Sequence, residues 1–267
     1  MKRLVLSLLI FVLIITALII TLNRASHQKS VTAMGCKLTI TVKDDNPKAP
    51  IEAALKRILE IEKLQNRHDE KSEISRYNHG EKVSLSKDNL EALKIANEVK
   101  AQTHGAFDVK FTRKIDLDGI SKGYAAEEAR KVLLQQGVKN AAIDFGSSIA
   151  VIGGPFKVGI RNPNKKDSTL GNITLSGGDA LSTSGDYEQG SHIIDPKTKS
   201  PALAVKSVTI VMDNAAVADA LSTGLFVMGP IEGVKLAERL KLKMIMVTSN
   251  NQVIVTGEQK TYEYPCP

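Results

Sequence analysis

The chain has 267 residues, 42% hydrophobic and 24% charged, an ordinary globular composition with enough length for a sizeable core. Aromatic residues make up 4% and Trp is absent, which excludes an aromatic platform for single-stranded nucleic acid, so no nucleic-acid partner is expected. The formal net charge of +7 suits an anionic partner: a lipid surface, a nucleotide or an acidic protein.

Lys2 and Arg3 precede an apolar run from Leu4 to Leu22, broken only by Ser7, Thr16 and Thr21. As a helix this run spans roughly 28 Å, the thickness of a hydrocarbon core. A cleaved signal peptide has an apolar region of about 7–15 residues ending in small residues, whereas Asn23-Arg24 follows here. The expectation is an uncleaved signal anchor over residues 1–22, a single-pass transmembrane helix with its basic front in the cytoplasm. Everything from Ser26 onward is then outside the cell membrane. Residues 23–32 read as a polar linker and 33–267 as one domain. Cys36 and Cys266, the only cysteines, are too few for a scaffold or a zinc site and read as two separate thiols or one terminal staple.

Lys37–Val42 alternates with period two, as a half-buried strand does. Pro50 opens a helix to about Asn66, with Ile51, Leu55, Ile58 and Ile61 in one stripe. Ser86 caps a second helix, and a third runs from Ser121 to Gln136, stopped by Gly137. Short strands are expected at Ala141–Phe145, Ile149–Ile152 and Lys157–Ile160. Asn162–Gly190, rich in Gly, Ser, Thr and Asp, reads as turns and exposed strands. Ser207–Met212 is a strand, and Ala215–Met228 and Pro230–Leu240 are helices. Lys243–Val247 and Gln252–Val255 form a hairpin across Ser249-Asn250-Asn251. Without a steady β-α-β rhythm the fold class is α+β, with mixed or antiparallel sheets and flanking helices.

Three stretches could carry chemistry. Asp219 and Thr223 lie four apart and share one helix face, a carboxylate and a hydroxyl that suit a hard cation such as Mg²⁺ or simply form a solvated face. Asp116-Leu117-Asp118-Gly119 enters a helix that carries Lys122 and Gly123, which reads as a phosphate-binding turn or as a capped turn. His192 stands three residues before Asp195-Pro196, a base with an orienting carboxylate or a structural His beside a turn. No Walker A loop, Gly-x-Ser-x-Gly elbow or His-Glu-x-x-His occurs.

In this order the segments resemble the FAD:protein FMN transferases, the ApbE-like family. The resemblance rests on Met34-Gly35, Ser72–Asn78, Gly105–Asp108, Asp116–Tyr124, Val158–Pro163, Leu181–Tyr187, His192–Pro196 and Ala218–Gly229, eight pieces in register from about Ala33 to Gly233. It implies a flavin transferase domain over 33–267 that moves FMN from FAD to a Ser or Thr, releasing AMP. Asp219, Thr223 and the Gly119 carbonyl are then the Mg²⁺ ligands. Met34, Ala106, Phe107, Asp108, Asp116, Lys122 and Ile194 match positions that line the FAD site. His192 matches the residue that activates the incoming hydroxyl, with Asp195 beside it. The implied acceptors are subunits of respiratory complexes and extracytoplasmic reductases. Alternative readings are an FAD pyrophosphatase and a non-catalytic FAD-binding protein. Three features depart from the family pattern: Cys36 after Gly35, Ser147-Ser148 after Gly146, and only seven residues between Asp108 and Asp116 where a longer insert is usual.

Overall fold

A computed structural model describes residues 26–186, 190–257 and 262–263. The apolar run Leu4–Leu22, Tyr187 and Cys266 lie outside the described residues.

The stretch read as a linker contributes a strand. His27–Ala33 (β1) pairs antiparallel with Cys36–Val42 (β2), with His27 opposite Val42. An edge strand can be polar because one face stays in water, so apolar periodicity is silent there. Met34 and Gly35, at φ 52° and 73°, form the two-residue connection, and left-handed backbone at both positions matches the twist of a hairpin.

The remaining strands are Ala141–Asp144 (β3), Ser148–Arg161 (β4), Thr169–Gly177 (β5), Ala180–Gly185 (β6), Val205–Met212 (β7), Lys243–Thr248 (β8), Val253–Thr256 (β9) and Tyr262–Glu263 (β10). The sheet runs β1-β2-β3-β4-β6-β7-β8-β9, with β5 and β10 branching from the far half of β4. Every pairing between these strands is antiparallel, so of the two expected sheet types the antiparallel one is found among the described residues. The two strands expected within 149–160 are one, with a register shift at Gly153–Phe156 where the second half leaves the main sheet.

Among the described residues, five helical segments complete the fold. Lys48–Gln65 (α1) holds Pro50 in its first turn, where no N–H is needed, and buries the expected stripe Ile51, Leu55, Ile58 and Ile61. Glu73–Asn78 (α2) is too short to show periodicity; Ser72 Oγ caps it by accepting from Ser75 N at 3.0 Å. Lys87–Gln102 (α3) is capped by Ser86, as expected. Ser121–Gln135 (α4) and Ala215–Arg239 (α5) carry the candidate site. At Gly229 the backbone turns to φ 75°, so α5 is two helical runs with Pro230 opening the second, as the sequence suggests.

The helices cover one sheet face, and the β4–β5 ribbon curls over the other. Met244 and Met246 of β8 join the larger core, whereas Ile245 joins Ile160, Ile173 and Leu175 beneath the ribbon. Burial on both faces explains the continuous apolar sequence of β8. Among the described residues only α5 is long and apolar enough to cross a membrane, but its apolar side chains fill the larger core.

Candidate active site

Helices α4 and α5 cross at Gly123. A Cβ there would lie 2.2 Å from the Ala215 carbonyl oxygen and 2.6 Å from Asp219 Cβ, so any side chain would force the helices apart. The first turn of α5 is fixed by Glu127, whose Oε2 accepts from Ala215 N at 3.1 Å, and by Asn214, which caps Val217 N.

This contact brings Asp219 to the start of α4. Its Oδ2 accepts from Gly123 N at 2.9 Å, so the carboxylate caps a helix 96 residues away in sequence. The Gly123 N–H is therefore capped by Asp219 and not open to a phosphate. Its Oδ1 faces Ser182 Oγ at 2.8 Å and Ser148 Oγ at 3.2 Å. Asp219 is 5% exposed, and burial pushes its carboxyl up from the usual carboxylate range; Lys122 and these donors oppose that shift only in part. One turn on, Thr223 Oγ1 lies 2.9 Å from Ser184 Oγ. Gly119 adjoins it, since a Cβ there would stand 3.4 Å from Thr223 Oγ1.

Gly119, Lys122, Asp219, Thr223 and His192 all line one cavity of about 220 Å³. Asp118 and Lys122 also wall a neighbouring cavity of about 350 Å³ that contains Met34, Glu62 and Gln65. Met34 is held there by its N–H, which donates to Glu62 Oε1 at 2.7 Å. Gln65 is 2% exposed, and among the described residues neither end of its amide has a hydrogen-bond partner.

The other expected site residues stand elsewhere. Ala106 and Phe107 are buried and line neither cavity; Phe107 packs beneath Gly119, its ring 3.0 Å from where a Cβ would be. Asp108 pairs with Lys100 at 2.7 Å. Asp116 lies behind the wall: its Oδ1 accepts from Asp118 N at 3.0 Å and sits 3.3 Å from Arg67 Nε, while burial and the Asp118 charge push its carboxyl up. Ile194 lines a different cleft. Asp195 does not orient the imidazole. Its Oδ1 accepts from Lys197 N at 2.8 Å and closes its own turn.

The orienting group is instead the Gly190 carbonyl, 2.8 Å from His192 Nδ1. A carbonyl only accepts, so Nδ1–H donates to it, and in the neutral form of the ring the lone pair is on Nε2. That tautomer is the one a general base needs.

The atoms of Asp219, Thr223 and the neighbouring serines that could ligate a cation are all oxygens, and no cluster of three His, Cys, Asp or Glu side chains occurs among the described residues. One buried carboxylate whose charge is only partly offset, with a hydroxyl beside it, fits a hard divalent cation if anionic substrate oxygens complete the shell.

The profile of the ApbE family matches residues 34–113 and 110–246, two stretches that meet in the short connection after Asp108. The chain belongs to the ApbE family. It is 32% identical over 160 residues to the FAD:protein FMN transferase of Rhodobacter capsulatus, covering 55% of this chain and 30% of that protein. With the FAD:protein FMN transferase of Vibrio cholerae it shares 33% identity over 151 residues, covering 51% and 45%. The chain thus spans less than half the length of these relatives in the matched regions. The crystal structure of the ApbE protein of Thermotoga maritima superposes with a TM-score of 0.80 at 26% identity, covering 87% of this chain and 97% of that one.

Within this ApbE fold, the sequence reading named Ser148, Ser182 and Ser184 only as parts of matching or departing segments and gave them no place beside Asp219 and Thr223. Alternation could have found two of them, because Ser182 and Ser184 are two apart on β6 and point to the same face. It also missed Asn78, whose amide clamps the Ile115 backbone from both sides, at 2.7 and 2.8 Å, and so fixes the strand of chain that enters the Asp116 turn.

Proposed function

We propose that this chain is a Mg²⁺-dependent transferase that moves FMN from FAD to a Ser or Thr hydroxyl of an acceptor protein and releases AMP. The observation that carries the reading is the single cavity in which Asp219, Thr223, Gly119 and Lys122 face the same space as His192. Lys122 walls both cavities and would hold the pyrophosphate between them, with the larger cavity receiving one end of FAD. Asp219, Thr223 and the Gly119 carbonyl would hold the metal ion. When bound, Mg²⁺ neutralises charge on the phosphates and positions them for in-line displacement. His192 Nε2 takes the proton from the acceptor hydroxyl as its oxygen bonds to the FMN phosphorus. The P–O bond to the AMP phosphate then breaks, and AMP leaves with the electron pair.

Asp116 acts indirectly, by bracing Asp118 and the Gly119 turn. The Leu4–Leu22 run would anchor the chain in the cell membrane with this domain outside, placing it among extracytoplasmic acceptors of the respiratory-complex and reductase type. Recovery of the protein in the soluble fraction would contradict that placement.

The test incubates the full chain with FAD, Mg²⁺ and a candidate acceptor and follows the acceptor by intact mass. An FMN-sized increase supports the reading. The solvent exposure of His192 favours one competitor, transfer to water; release of FMN and AMP with no adduct would establish that pyrophosphatase activity instead.

A further inference from the structure

A cleft of about 520 Å³ lies beside the candidate active site, lined by Phe111, Thr112, Arg113, Ile194 and Lys199. One wall is the short connection from Asp108 to Asp116, and the other is the turn that follows His192. Both are braced from within. Lys110 N donates to Asp108 Oδ1 at 2.9 Å, and Arg113 N donates to the Lys110 carbonyl at 2.9 Å. Across the cleft, Lys199 N donates to the Asp195 carbonyl at 2.8 Å, and Ala202 N to that of Ile193 at 2.9 Å.

The charge on these walls is one-sided. Lys110, Arg113, Lys114, Lys197 and Lys199 are exposed, and none has a carboxylate partner among the described residues. The acids on these two segments are each engaged, Asp108 with Lys100, Asp116 with Arg67 and Asp195 in its own turn. Phe111 and Ile194 are half-buried and give the cleft an apolar floor.

We propose that this basic cleft is the docking surface for the acceptor protein and binds acidic side chains flanking the Ser or Thr that receives FMN. The inference rests on the transferase reading above. Ile194 is two residues from His192, so a segment with its hydroxyl at His192 continues over the cleft. At about 3.3–3.6 Å per residue, the acidic positions fall roughly two to five residues from the acceptor hydroxyl. An anionic partner relieves the repulsion among five like charges and is steered towards the base. The cleft is concave with an apolar floor, which suits a peptide segment better than a flat lipid surface.

The test uses the full chain in non-ionic detergent with FAD and Mg²⁺, and two labelled Thr-containing peptides, one flanked by Asp and Glu and its twin by Asn and Gln. Fluorescence anisotropy should show the acidic peptide binding about tenfold tighter at low salt. The preference should fade as the Debye length falls from about 30 Å at 0.01 M to about 10 Å at 0.1 M. Arg113→Glu combined with Lys199→Glu should abolish the preference and leave FAD affinity unchanged. Equal binding of the two peptides, or a preference that survives the double reversal, overturns the proposal. So does a reversal that changes only retention on micelles containing phosphatidylglycerol, which would assign the cleft to lipid. Failure of the transferase reading shows separately, as absent FAD binding or absent FMN transfer to either peptide, and the anisotropy result decides docking in either case.

Discussion

Two polar clusters sit on α4, and they treat charge in opposite ways. In the first, Arg57 of α1 donates to both carboxylate oxygens of Asp88 and, at 2.6 Å, to Glu128, while Tyr124 donates to Asp88 at 3.0 Å. The Arg57 guanidinium holds Asp88 below the usual carboxylate range, and Arg57 and Lys131 together hold Glu128 below it against the opposing effect of burial. In the second, Asp219 is surrounded by hydroxyls and one N–H, and burial pushes its carboxyl up. The first cluster is internally compensated and acts as a strut between α1, α3 and α4. The second keeps part of its charge unanswered in a cavity wall, the condition in which a cation adds most. The difference separates structure from function without reference to any relative.

Asp219→Asn should sharpen this contrast most. It keeps an acceptor oxygen for Gly123 N, turns its amide N–H to the Ser182 and Ser148 hydroxyls, which can accept, and removes the charge, so transfer should fall by about 10³-fold, equivalent to several kcal/mol of lost phosphate neutralisation, while the melting temperature changes little. Transfer near the wild-type rate would break the contrast. Asp219→Ala is a poorer probe: it orphans three donors and should cost about 1–3 kcal/mol of stability as well.

Next in size is His192→Ala, which should lower the single-turnover rate by roughly 10²–10⁴-fold with FAD affinity unchanged. Asp195→Ala should act more weakly, by loosening the turn that it closes. Equal losses in the two variants would restore the carboxylate to an orienting role.

Arg57→Met tests the strut and should cost about 2 kcal/mol, between the values for exposed and buried pairs, because these side chains are 16–22% exposed. The pH dependence follows from the direction of the shifts. Asp88 and Glu128 are more acidic folded than unfolded, so their contribution is present above the unfolded carboxylate values of about 4 and is lost as pH falls through the lowered folded values. Arg57→Met should therefore flatten the acid limb of a stability profile measured by urea denaturation and leave transfer intact. The smallest effect is expected from Gln65→Leu, which removes a buried amide with no partner among the described residues and should raise stability by about 1 kcal/mol. A drop in the urea midpoint would show that the amide is satisfied.

The parts of the fold legible in sequence were those with strong periodicity or punctuation: the stripe of α1, the Ser86 cap, the stop after α4 and the break at Gly229. The strand β1 was not legible, because a polar edge strand resembles a linker. In the site, the four-residue spacing of Asp219 and Thr223 placed them on one face, but nothing local showed that Asp219 caps α4 from 96 residues away. His192 stood out as a candidate base, yet the group that orients its ring is a backbone carbonyl, which no side-chain pattern encodes. The FAD-site positions carried over by resemblance divided: Met34 and Lys122 face the cavities, whereas Phe107 packs beneath Gly119 and Ala106 is buried away from both cavities.

The most direct test of the central claim, that the partly unanswered charge of Asp219 makes the site, is a Mg²⁺ titration of FAD binding by calorimetry. It compares the full wild-type chain with Asp219→Asn. The account predicts that Mg²⁺ strengthens FAD binding to the wild type and has no effect on the variant; the same Mg²⁺ dependence in both would contradict it.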